Sequence, residues 1–147
     1  MDAEAQLAGF LEKFEPQIAN TGRDAIAWIR KRLPGATVLV YDNYNALAMG
    51  FGPSERASEI VGSIAVYPKR VALFLSRGAS LPDPHKIFEG AGNKVRNITL
   101  PDAARLDHPH VAEALEAALA LEPIADRPPG RLVIKSISAK QRPRRPG

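Results

Sequence analysis

Residues 37–75 read TVLVYDNYNALAMGFGPSERASEIVGSIAVYPKRVALFL, and the fold turns on how that stretch divides. Thr37–Tyr41, Ala46–Phe51, Ser63–Tyr67 and Val71–Leu75 are short apolar runs, bounded by Asp42-Asn43, Gly52-Pro53-Ser54 and Pro68-Lys69. Runs of this length between turn residues are strands, and such short connections leave no room for crossover helices. The strands therefore meander antiparallel, and Arg96–Leu100 reads as a fifth.

Helices flank this stretch. Leu7, Phe10, Leu11, Phe14 and Ile18 recur at helical spacing, interrupted by Pro16, which is best placed in the first turn of a second helix. That helix carries Ile18, Ala25, Ile29 and Leu33 on one face and stops at Pro34-Gly35, so the spacing predicts helices over 3–14 and 16–33. A third begins at Asp107, read as its N-cap, with Pro109 in the first turn and Val111, Leu115, Ala118 and Leu119 as its stripe. The expectation is an α+β domain: an antiparallel sheet of about five strands with N-terminal and C-terminal helices packed on one face. Residues 1–130 form the domain; after the Arg127–Gly130 break, 131–147 hold a short strand or covering segment and then a basic, flexible tail.

With 147 residues, 45% hydrophobic and 24% charged, the chain has the composition of one globular domain, which excludes wholesale disorder. It has no cysteine, which excludes disulfides, thiolate metal sites and thiol catalysis. No apolar run reaches the length of a membrane span, and the acidic start Met1-Asp2-Ala3-Glu4 does not read as a signal peptide, so a cytoplasmic protein is expected. The net charge of +4 is unevenly spread. Residues 131–147 carry +6 and the remainder −2, so the basicity belongs to the tail. Lys140, Arg142, Arg144 and Arg145 would there dock nucleic acid or an acidic protein surface, unless the tail is simply solvated.

Three constellations bear chemistry. Gly90 and Gly92 allow a tight backbone path whose N–H groups, beside Asn93, Lys94 and Arg96, suit an anion; the spacing is not that of a P-loop, and a plain turn is the alternative. Tyr41, Asp42, Asn43 and Tyr44 put phenols, a carboxylate and an amide at one strand end, as a small-ligand pocket or an ordinary hairpin would. Glu4, Glu12 and Glu15 share one face of the first helix, where Glu12 and Glu15 are close enough to hold a hard cation through oxygen ligands, a solvated helix face being the alternative. His108 and His110 beside Asp107 make a weaker metal reading, with His85 isolated in sequence. The chain has no G-x-S-x-G, no H-E-x-x-H and no evident acid–base pair, so a non-catalytic role is expected.

The run from Gly78 through Leu81-Pro82-Asp83-Pro84 to Phe88-Glu89-Gly90-Ala91-Gly92-Asn93-Lys94-Val95-Arg96 resembles the YdhG-like family of bacterial domains, as do Tyr67–Leu75 and the leading helix pair. The resemblance covers about residues 4–121. It implies a frataxin-like two-layer sandwich and, by analogy with an iron-chaperone branch, iron as a ligand, for which Glu4, Glu12 and Glu15 are the acidic candidates. The family's Trp-Gly-x-Pro-type stretch is replaced here by Val40-Tyr41-Asp42-Asn43-Tyr44, so a ligand read there would be read differently. The resulting expectation is a binding domain for a small ligand or iron, with a tail-borne adaptor as the competing reading.

Overall fold

The structure, a computed structural model, describes residues 1–125 and 129–146. Arg127 and Pro128 of the expected break lie outside them. Helix α1 (Ala3–Glu12) begins at Asp2, whose carboxylate accepts a bond from the Ala5 N–H, and α2 (Pro16–Arg32) opens on Pro16 as expected. Strands β1 (Thr37–Asp42), β2 (Leu47–Gly52), β3 (Gly62–Val66), β4 (Val71–Leu75) and β5 (Arg96–Leu100) follow. Then come α3 (Pro109–Leu121) and β6 (Leu132–Ile137).

The chain is α+β, but its sheet has six strands in the order β5-β4-β3-β2-β1-β6. The expected five form the antiparallel meander. The correction is β6, which pairs parallel to β1 and makes the sheet mixed. A parallel neighbour needs a long crossover, and the passage through α3 provides one.

Strand alternation sorts the sheet into two faces. Val38, Val40, Leu47, Met49, Phe51, Ile64, Val66, Leu73 and Ile98 form one core with Leu7, Leu11, Phe14, Ala25, Ile29, Leu106, Val111 and Leu115. Most of the predicted helix stripes are buried, with Ala25 and Ile29 wholly inaccessible, while Phe10, Ile18 and Leu119 are half-buried at the edge of the core. The N-cap of α3 differs from expectation. A short turn of 3₁₀ helix (Ala103–Asp107) precedes it, Pro109 takes the first helical position, and His108 becomes the cap by accepting from the His110 N–H at 3.1 Å. Asp107 instead accepts the Trp28 indole N–H at 2.9 Å and ties the 3₁₀ turn before α3 to α2.

Helix α2 sits close on the sheet because Gly22 has no side chain: a Cβ there would lie 2.8 Å from Val66 Cγ2 and 3.3 Å from Leu11 Cδ2. Alanine gains about 1 kcal/mol of helix propensity, but overpacking against stiff Val66 costs about 1–3 kcal/mol. Gly22→Ala is therefore expected to lower stability by about 1 kcal/mol in urea denaturation. A stabilised variant would show that the contact is not tight.

Candidate functional site

The topology separates the two loops singled out from the sequence. Asp42 lies in the row that runs through Leu47, Val66 and Val71 to Leu100, whereas Arg96 starts β5 opposite Leu75 at the other end of the sheet. Four strand spacings, about 19 Å, separate β1 from β5, and the two ends differ by about 13 Å along the strands. Tyr41–Tyr44 and Gly90–Arg96 therefore build no composite pocket.

The glycine loop itself divides. Gly90 takes φ +114°, which only glycine adopts at low cost. The Arg96 guanidinium donates to the Gly92 and Val95 carbonyls, so Arg96 closes its own loop instead of facing a ligand. Asn93 and Lys94 point elsewhere. They line a cleft of about 550 Å³ together with Ser58, Ser76, Arg77 and Ser80, floored by Ile60, Val61 and Ala118 and closed by Glu122. The cleft forms where β4 ends in the Gly78–Ser80 turn, and that turn lies against β5: a Cβ on Gly78 would stand 2.5 Å from Arg96 Cβ. The Ala79 N–H also bonds the Lys94 carbonyl at 2.9 Å, which fixes the loop bearing Asn93 and Lys94. Arg77 Nη2 reaches Glu122 Oε2 at 3.7 Å, so the chain already presents one carboxylate to this cation. Ser58, Ser76, Ser80 and Arg77 were not singled out from the sequence. Scattered serines carry no pattern, and only folding gathers them.

At the opposite corner Asp42, wholly buried, does not line an open pocket. Its Oδ1 accepts Arg144 Nη2 at 2.9 Å and its Oδ2 accepts Lys13 Nζ at 2.9 Å. Burial alone would raise the Asp42 pKa, but the Gln141 amide beside it and the hydrogen bonds from Lys13 and Arg144 outweigh it and hold the carboxyl below its ordinary range. The tail expected to be flexible and open to nucleic acid is thus laid against the domain. Arg144 is buried, and Arg145 donates to the Lys13 and Glu12 carbonyls at the end of α1. Of the four tail cations, Lys140 and Arg142 are exposed and make no ion pair among the described residues. The cause is a buried carboxylate that demands cations, and Arg144 supplies one.

The acidic face does not assemble. Helix α1 ends at Glu12, Glu15 lies beyond it as the N-cap of α2, and the Glu4 carboxylate is held by both terminal nitrogens of Arg30 at 2.9 Å. No group of three or more His, Cys, Asp or Glu side chains among the described residues is placed to hold a metal ion. The histidines do meet: His85 stacks on His110 with ring centroids 3.5 Å apart and planes 2° from parallel, and His108 abuts His110 edge-on. Rings stacked face to face direct their lone pairs side by side, so the pair cannot converge on one ion. His85 also contacts Glu113 at 3.2 Å and pins the Pro82–Phe88 segment to α3.

Two outcomes follow. Asp42→Asn strands the buried Arg144 and is expected to cost about 3–5 kcal/mol in chemical denaturation. His110 is held below its ordinary 6.5 by burial, with His85 and His108 adding to the effect and Glu113 opposing it. The unfolded chain then binds more protons as pH falls through 6.5, so this ring's contribution, complete above that value, is lost on acidification. His110→Asn should flatten the decline in urea midpoint between pH 7.5 and 5.5; an unchanged slope would discount the stack.

Among the described residues, no helix is long and apolar enough to cross a membrane. Comparison with protein-family models, with curated proteins and with solved structures returns no match for this chain.

Proposed function

We propose that this chain is a non-catalytic, cytoplasmic binding domain, akin to the YdhG-like family, whose cleft at the end of β4 takes a small anionic ligand. The observation that carries this reading is the lining of that cleft: two cations, Arg77 and Lys94, with three serine hydroxyls and the Asn93 amide around about 550 Å³. Hydroxyl and amide donors beside a guanidinium and an ammonium are the groups that recognise phosphate or carboxylate. The apolar floor of Ile60, Val61 and Ala118 suits a ligand with a hydrocarbon or ring portion. The charge of the lining favours an anion over iron, which would need oxygen anions that this cleft supplies only at Glu122.

Glu122 acts in this reading as an internal competitor. A ligand anion takes its place beside Arg77, and the freed carboxylate turns to solvent. Titration with pyrophosphate and AMP, followed by calorimetry and amide NMR, tests the proposal. Arg77→Ala with Lys94→Ala is expected to weaken pyrophosphate binding about tenfold or more. Glu122→Gln is expected to strengthen it. Wild-type protein that binds neither probe, or a double variant that binds as tightly as wild type, overturns the assignment.

A further inference from the structure

The corner around Asp42 has the chemistry of a receptor. Arg144 Nη2 is shared between Asp42 Oδ1 at 2.9 Å and the Asn43 carbonyl at 2.6 Å, while Nη1 faces the Tyr44 carbonyl at 3.4 Å. Its guanidinium carbon stands 5.5 Å from the centre of the Phe14 ring. A carboxylate and two carbonyls at the edge of a planar cation, with an aromatic face beside it, is an arrangement that selects guanidinium over ammonium. The second carboxylate oxygen is already taken by the Lys13 ammonium at 2.9 Å, which leaves Oδ1 to the guanidinium.

The receptor is built by the body of the domain and the occupant by the tail. Phe14 stands at the α1–α2 corner, and Asp42, Asn43 and Tyr44 lead into a turn closed by the Asn43 N–H on the Ala46 carbonyl at 3.0 Å. Residues 138–146 form neither helix nor strand, and Arg144 is the only one of them that is buried. The tail's other holds are polar: Ser138 N–H to Asp42, Arg142 N–H to Tyr44, and Gln141 and Arg145 to backbone carbonyls. Arg144 Nε is buried without an acceptor, so the cage satisfies only the outer edge of the guanidinium.

From this geometry we infer that the cage of Phe14, Asp42, Asn43 and Tyr44 is a guanidinium-recognition site, with Arg144 as its tethered occupant, and that it accepts an arginine side chain from outside the chain when Arg144 leaves. The incoming group is an arginine-bearing small ligand or Arg144 of a second copy, which share the same chemistry. The site is independent of the anion cleft, which lies at the other end of the sheet.

The test uses the full chain carrying Arg144→Ala, in which Lys13 still pairs Asp42. N-acetyl-arginine amide at millimolar concentration is expected to raise its Tm saturably by a few degrees, through binding to the folded state alone. N-acetyl-lysine amide should not, and wild-type protein, its cage filled, should respond to neither. The response should vanish when Asp42→Asn is added. Arg144→Gln, whose neutral side chain is too short to fill the cage, is the second carrier should the alanine variant fold poorly, and the same selectivity is expected in it. No arginine-specific response in either variant overturns the inference, as does an equal response to both amides. Sedimentation separates the sources: a wild-type dimer that Arg144→Ala abolishes identifies the tail of a second copy. Monomers throughout, with rescue intact, identify a small arginine ligand.

Discussion

The structure depends on one buried carboxylate. Asp42 ends β1 with no accessible surface, and an ionised side chain in that position needs partners. Lys13 comes from the end of α1 and Arg144 from a segment 102 residues after Asp42, so helix corner, sheet and tail meet at one polar point. Lys13 remains 42% exposed and keeps much of its hydration, whereas the Arg144 side chain is 3% exposed and gives nearly all of it up. A buried ion pair of this sort adds little net stability over an apolar substitute, but it penalises any arrangement that leaves one member alone. Its effect is to specify where the tail lies.

Opposite ends of the same sheet consequently carry opposite electrostatic preferences. The end near Leu75 and Arg96 presents Arg77 and Lys94 across a polar cleft, while the end near Asp42 turns a carboxylate and carbonyls toward a cation. The excess positive charge of residues 131–147 is partly consumed within the fold: Arg144 goes to Asp42, Arg145 to the last carbonyls of α1, and Arg131 to Glu55. Composition placed that charge correctly in the chain but not in space.

Much of the fold was legible because its signals are local. The apolar run Val71–Leu75 and the stripe Leu7, Leu11, Phe14 need only their own neighbours to be read, and all but the half-buried Phe74 are buried. Pairings across long separations left no such mark. Leu132–Ile137 mixes Leu and Ile with Lys135 and Ser136, a pattern that fits an edge strand or a covering segment equally well until β1 is seen beside it. His85 is solitary in the sequence yet stacks on His110, and Arg144 sits in a charge run of the kind usually solvated. Of the residues proposed for ligand contact, Asn93 and Lys94 do line a cleft, whereas Arg96 binds its own loop and Asp42 faces a cation. What decides those fates is which partner the topology brings near, and a linear pattern does not carry that.

The parallel strand also has a kinetic meaning. Strands β1 to β5 pair with neighbours close in sequence, so the meander can assemble from short loop closures, but β6 must find β1 across about ninety residues. Until it docks, β1 is an outer strand with Val38, Leu39 and Val40 along an unpaired backbone edge, the type of surface that recruits other chains. Once in place, β6 substitutes an outer strand bearing Lys135, with Lys140 and Arg142 exposed just beyond it, and charge at an edge discourages further pairing. The late-closing segment is therefore also the one that shields the sheet from its own kind.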